Sequence, residues 1–134
     1  MDLVDAKVAP RDDMRHRHRM VTVSDDTACV CRLMEAAVAA TFAVTVDELR
    51  ASSRCTAKAA FARQCAMYIA HVALGLNYSE TGALFRRDRT TAAYACRLVE
   101  MRRDNAAIDR LLDMLEELCT EIACCVRASS QVRS

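Results

Sequence analysis

Turn-forming residues are scarce: the 134-residue chain has two glycines, one proline and no tryptophan, and aromatic side chains make up 4% of it. A sheet protein needs a turn signal roughly every 8–12 residues, so the near-absence of such signals after Pro10 excludes the common all-β layouts and favours helices. No apolar run reaches the roughly 18 uncharged residues of a membrane span. Asp2 and Asp5 stand where a secretory leader would be basic, so a cytosolic location is expected and no membrane partner. No phosphate loop of the form GxxxxGKS or GxxxxGKT occurs, and too little chain precedes the central motifs for a nucleotide-binding domain. No nucleotide, ATPase activity or other cofactor is therefore expected. Paired carboxylates or Cys/His groups in a catalytic setting are also missing, which argues against an enzyme.

What is present is a hydrophobic content of 53%, drawn mainly from Ala, Val, Leu, Met and Cys. At this length it suffices for one core and one domain. The eight cysteines are Cys29, Cys31, Cys55, Cys65, Cys96, Cys119, Cys124 and Cys125, with no CxxC spacing among them. They read as free thiols acting as small hydrophobes, the adjacent Cys124 and Cys125 leaving open a redox role. His16 and His18 alternate with Arg15, Arg17 and Arg19, which makes a solvated basic run a better reading than a metal site.

A net charge of +1 hides a marked asymmetry. From Arg50 to Arg103 there are ten basic and three acidic side chains, whereas from Asp104 to Arg127 there are two basic and six acidic. Polyanions respond to the local field of one face, and screening over about 8–10 Å separates the two regions. The basic middle of the chain is the part suited to phosphates.

Residues 1–23 show little apolar periodicity and read as a flexible arm, 24–127 as the helical domain, and 128–134 as a flexible tail. Ser24, Asp25 and Asp26 signal a helix start, and Val30, Leu33, Met34, Val38 and Phe42 carry that helix to about Phe42. A break at Ala43 to Thr45 leads to a further turn opened by Thr45 or Asp47, then to the polar loop Ala51 to Thr56. The spacing of Phe61, Cys65, Ile69 and Val72 predicts a long helix from Ala57 to Leu74 that Gly75 ends in a left-handed conformation. A short helix is expected from Ser79, with Tyr78 as a hydrophobic staple and Thr81, Leu84 and Phe85 as its packing face. Gly82 inside it costs about 1 kcal/mol against alanine, which implies the close approach of another helix. Asp88 is the natural N-cap of the next helix, Thr90 to Met101. Ile108, Leu111, Leu112, Leu115, Leu118, Cys119, Ile122 and Val126 then mark a final amphipathic helix with an acidic opposite face.

A short helix, a tight turn and a second helix at about 79–103 form a helix-turn-helix whose second member opens with Arg87, Arg89, Thr90 and Thr91. Arginine can pair with guanine O6 and N7 or clamp a phosphate. Threonine offers a hydroxyl to phosphate and a methyl to thymine, and a helix N-terminus attracts an anion. Duplex DNA is the ligand this combination suits.

The residues of this segment carry a resemblance. Val46 and Leu49 precede a basic loop; Arg63, Gln64, Ala66, Met67, Tyr68 and Ile69 follow; then come Asn77, Tyr78, Thr81, Gly82, Phe85, Arg87, Asp88, Thr90, Thr91, Ala95, Cys96 and Arg97. The stretch from about Thr41 to Arg103 resembles the C-terminal DNA-binding domain, domain IV, of the bacterial replication initiator DnaA. The resemblance implies an all-α helix-turn-helix bundle, here with an added C-terminal amphipathic helix. It also implies specific binding of double-stranded DNA, as at replication origins, in a replication or transcription regulator associated with the nucleoid. Carried over by position, it places Arg63, Gln64, Asp88, Thr90 and Thr91 at the DNA, Arg63 on phosphate. With Arg54, Lys58, Arg86, Arg87 and Arg89, these complete the expected DNA-binding set.

Departures from the family pattern are specific. Arg89 replaces a histidine, the Gly-Gly of the turn becomes the single Arg86, and Cys55 stands where the family has its minor-groove arginine, leaving Arg54 and Lys58 nearby. Leu74 and Asn77 replace residues that support a phosphate contact. The alternative reading is a protein-interaction adaptor derived from such a domain, using the acidic last helix. The leucine stripe of that helix can pack on its own domain or pair two chains as a homodimer.

Overall fold

A computed structural model of the chain describes residues 23–51 and 56–133. These form six helices and, among the described residues, no strand: α1 (Asp25–Phe42), α2 (Val46–Arg50), α3 (Ala57–Leu74), α4 (Tyr78–Leu84), α5 (Arg89–Arg102) and α6 (Ala106–Arg133). The all-α helix-turn-helix bundle with an added terminal helix is the observed architecture. The expected N-terminal arm up to residue 22, together with Arg54 and Cys55, lies outside the described residues.

Small polar residues start the helices. The Ser24 hydroxyl accepts from Thr27 N, Thr45 and Glu48 form a reciprocal capping box, and Thr56 accepts from Ala59 N. Each such cap is worth about 1 kcal/mol. Of the two candidates for opening α2, Thr45 is the cap. Gly75 ends α3 at φ 70°, as its position predicts.

Helix α3 is the hub, flanked by α1, α5 and α6. Ala59, Ala62, Cys65, Ala66, Met67, Tyr68, Ile69 and Ala70 are all buried, so its middle is enclosed on several sides instead of along one stripe. Its many alanines allow that close approach. Val72, placed by spacing on the buried side, is 46% exposed because the flanking helices no longer enclose α3 near its end. The apolar face of α6, with Leu112, Leu115, Cys119 and Ala123 buried, packs onto α1 and α3. Leu118, counted in the same stripe, is 41% exposed.

Besides a one-residue extension of α5 at each end, to Arg89–Arg102, three boundaries differ from the sequence reading. Helix α4 is capped by Asn77, whose side chain accepts from Glu80 N while the Glu80 carboxylate accepts from Asn77 N. Tyr78 is thus inside the helix and stacks on His71 with ring centroids 4.5 Å apart, instead of acting as a staple. Helix α6 begins at Ala106, where the Asn105 side chain accepts from Ala107 N and Ile108 N. It continues through the segment read as a tail as far as Arg133, with Ser130 donating to Asp26 of α1.

Two charge contacts hold the bundle that no periodicity announces. Glu35 of α1 is 2% exposed and takes a two-pronged contact from Arg50 of α2, at 2.7 and 2.9 Å. Burial pushes its carboxyl above the ordinary range even against that guanidinium. Arg103, just after α5, pairs with Asp109 at 2.8 Å, with Asp113 and with Glu116 at 3.0 Å, and lies over the Tyr68 ring. The acidic face of α6 is therefore drawn to the C-terminal end of α5.

Cys31, Cys65, Cys96 and Cys119 are buried, as small hydrophobes should be. Burial pushes the Cys31 and Cys65 thiols up to about 12 and those of Cys96 and Cys119 to about 11, which keeps them protonated and unreactive. Cys124 and Cys125 are exposed. Among the described residues no group of three or more His, Cys, Asp or Glu side chains could hold a metal, and no helix is long and apolar enough to cross a membrane.

Thr81 is fully buried on α4 and its hydroxyl has no hydrogen-bond partner among the described residues. An unpaired buried hydroxyl costs about 1–3 kcal/mol, so Thr81→Val is expected to raise stability by about 1 kcal/mol. Chemical denaturation checks this: a higher midpoint with unchanged slope is the expected result.

Candidate nucleic-acid interface

The turn between α4 and α5 is built from backbone bonds. Arg87 N–H donates to Gly82 O at 2.8 Å and Arg86 N–H to Ala83 O at 3.2 Å. This closure requires a left-handed residue between them, ordinarily glycine. Arg86 occupies it at φ 56°, with its side chain exposed. The single arginine that replaces two glycines thus accepts backbone strain of order 1–3 kcal/mol at the tip of the motif.

Gly82 explains how the turn lies so close to α4. A Cβ there would sit 2.6 Å from Arg87 O and 2.9 Å from Asp88 O. The close neighbour anticipated for this glycine is therefore the turn's own backbone, not another helix. Asp88 then caps α5, its carboxylate accepting from Thr91 N at 2.8 Å. Its first duty is to shape the first turn of α5.

Beyond that cap, Arg89, Thr90 and Thr91 are exposed together with Arg86. Along α5 the exposed residues Thr90, Tyr94, Arg97 and Met101 follow at helical spacing, while Ala92, Ala95, Cys96 and Val99 are buried on the opposite face. Tyr94 and Arg97 were not among the expected contacts. The i, i+4, i+7 spacing from Thr90 was the signal that could have found them.

Two expected contact arginines are engaged within the protein. Arg63 on α3 donates to Leu49 O at 2.7 Å and Glu48 O at 3.2 Å. Arg87 donates to Phe85 O at 3.0 Å and Ala51 O at 2.9 Å. Carbonyls at the end of a short helix have no helical partner and carry the negative end of its dipole. Two cations from different elements therefore converge on the carbonyls of residues 48, 49 and 51. The start of the loop between α2 and α3 is thereby tied both to α3 and to the turn before α5. Sequence spacing does not show this, because a carbonyl acceptor carries no side-chain signature.

Of the remaining expected residues, Lys58 is exposed in the first turn of α3 and Gln64 is half-buried on the same helix. Arg54 lies outside the described residues. The acidic face of α6 is bonded to Arg103, which follows the last residue of α5 and lies roughly 20 Å along the helix from Arg89. The carboxylates thus sit more than a screening length from the threonine pair. An exposed, rigidly capped helix end rich in guanidinium and hydroxyl groups, with acidic groups held at its far end, can accept phosphate oxygens and the acceptor edges of bases.

Comparison with known proteins agrees with this geometry. Residues 32–99 match the family model of the bacterial DnaA protein helix-turn-helix. Among solved structures, the chain is similar to the crystal structure of a DNA replication initiation factor, with a TM-score of 0.66 and 25% sequence identity. The likeness covers 74% of this chain and 30% of that one, so the chain spans under a third of the length of that protein. No curated protein matches.

Proposed function

The chain belongs to the family of the bacterial DnaA protein helix-turn-helix, and from that premise we propose that it binds specific sites in double-stranded DNA as a replication or transcription regulator, without ATPase activity. The observation that carries this reading is the exposed N-terminal turn of α5, braced by the strained turn at Arg86 and capped by Asp88. In the proposed complex that turn enters the major groove. Arg89, Thr90 and Thr91 meet base edges and adjoining phosphate, with Tyr94 and Arg97 further along the same face. Arg86, Lys58, Gln64 and Arg54 meet the backbone. Arg63, Arg87 and Asp88 act by holding the loop, the turn and the helix end in register, since each has hydrogen bonds within the protein. A protein working this way belongs on the nucleoid in the cytoplasm.

A homodimer through α6 has support only from Met114, Leu118 and Val132, the exposed large apolar residues of that helix. The proposed DNA complex does not require it.

Arg89→Ala is expected to cost about 1–3 kcal/mol of binding to the preferred site and to relax base preference, as loss of a base-edge contact does. Arg63→Ala is expected to weaken all duplexes alike, because it loosens the loop instead of removing a base contact. Fluorescence anisotropy on a selected site and a scrambled duplex, at two salt concentrations, separates these. Equal loss on both duplexes for Arg89→Ala would overturn the assignment, and binding insensitive to salt would overturn the DNA reading itself.

A further inference from the structure

Glu117 and Glu121 are exposed on α6 and have no ion-pair partner among the described residues. With Asp113 they recur at every fourth position, which aligns three carboxylates along one helix face at intervals of about 6 Å. This stripe borders an open groove whose lining includes Val72 and Ala73 of α3 with Met114 and Leu118 of α6. Three of those side chains, Val72, Met114 and Leu118, are 46%, 52% and 41% exposed. A second depression, lined by Ser24, Ala123 and Arg127 among others, shares Ala73 and Thr120 with the first, so the two adjoin. Ser24 is also where the described fold begins, next to Val23. The chain before it therefore joins the fold at the mouth of an acidic groove with apolar residues in its walls.

The joining segment has the complementary chemistry. It reads Met14, Arg15, His16, Arg17, His18, Arg19, Met20, Val21, with a cation at every second position. We propose that this segment lies extended in the groove of its own chain, with Arg15, Arg17 and Arg19 along Asp113, Glu117 and Glu121, Met20 toward Ala73 and Met14 toward Met114.

Spacing and reach both support it. Alternate residues of an extended chain point the same way about 6.6 Å apart, close to the interval of the carboxylate stripe. From Ser24 back to Arg15 an extended chain spans up to roughly 30 Å. From Arg127, beside Ser24, back to Asp113 the helix covers about 21 Å. Exposed ion pairs are individually weak and screened by salt, but a tethered segment acts at an effective concentration on the order of millimolar. The docked state is therefore salt-sensitive, and it keeps the segment's arginines off DNA phosphates.

Nuclear Overhauser effects in the isotope-labelled full chain test the placement. At low salt, the Met20 methyl is expected to show a cross-peak to the methyl of Ala73 and the Met14 methyl one to that of Met114. These cross-peaks should vanish at about 0.5 M salt, where the screening length falls below about 5 Å. They should also vanish in Glu117→Lys/Glu121→Lys. Both positions are exposed, and Glu117→Gln/Glu121→Gln, checked for unchanged helix content by circular dichroism, should lose at least half of the intensity. Absence of the cross-peaks at low salt overturns the proposal, leaving the groove to another partner. So does their persistence in the charge-reversed variant. Cross-peaks seen only between labelled and unlabelled chains in a mixed sample also overturn it, by assigning the groove to a second copy.

Discussion

Gly82→Ala is expected to unsettle the motif more than any other single methyl group added to it. The new Cβ would lie 2.6 Å from Arg87 O and 2.9 Å from Asp88 O, and both obstacles are backbone. No side chain can rotate away, so α4 or the turn must move. Overpacking of this kind costs about 3 kcal/mol or somewhat more, against which alanine recovers about 1 kcal/mol of helix propensity, so a net loss of about 2–3 kcal/mol is expected. The displaced atoms include the carbonyl of the α5 cap residue, so the exposed end of that helix shifts with them. Affinity for a preferred duplex should fall at least tenfold, roughly 1.4 kcal/mol. Denaturation and duplex titration on the same preparation check both effects. Unchanged stability and affinity would mean that the turn has room the geometry does not show.

Arg50→Ala is expected to cost about 3 kcal/mol, toward the lower end for a buried ion pair that loses one partner, because the arginine itself is 47% exposed. What remains is a carboxylate at 2% exposure without its cation. The sign of the pH dependence follows from Glu35. Its folded-state carboxyl already titrates above the ordinary value of 4.5, chiefly through burial, so its contribution to stability is fully present below that value and is lost as pH rises through the folded one. Removing Arg50 raises the folded value further. The variant's deficit should therefore be greatest at neutral pH and shrink toward pH 4, where a protonated Glu35 no longer needs a cation. A deficit that grew on acidification would show that the pair is not what holds α1 to α2. Loss at this contact also reaches the interface, since α2 supplies the Glu48 and Leu49 carbonyls that Arg63 grips.

Helix positions were largely legible because their signals are local. Ser24, Thr56 and Asp88 cap the helices they precede, and Gly75 ends α3. At the start of α4 the local signal is ambiguous. Asn77 and Ser79 both precede part of the helix and both suit a cap, and only the reciprocal contact with Glu80 chooses between them. The candidate site was legible in outline through its arginines and threonines. Their partners within the protein were not, because the order of residues does not show that Arg63 and Arg87 bond backbone carbonyls of residues 48, 49, 51 and 85. Tyr94 and Arg97 share a face with Thr90 by helical spacing, a weaker signal than the cluster of charge at the start of the helix.

By itself, the order of residues determined the helical class, the span of most helices and the exposed cluster at the start of α5. These follow from periodicity, caps and glycine placement, which act over a few residues. Only the tertiary structure decided that α6 turns its carboxylates toward Arg103, that Glu35 is buried against Arg50, and that Gly82 faces the turn that follows it. Each of those outcomes depends on which atoms are brought together from separate elements or across a closed turn. Such meetings are set by packing in three dimensions, where contact distance and burial decide whether a charge pairs, a hydroxyl goes unsatisfied or a methyl group fits.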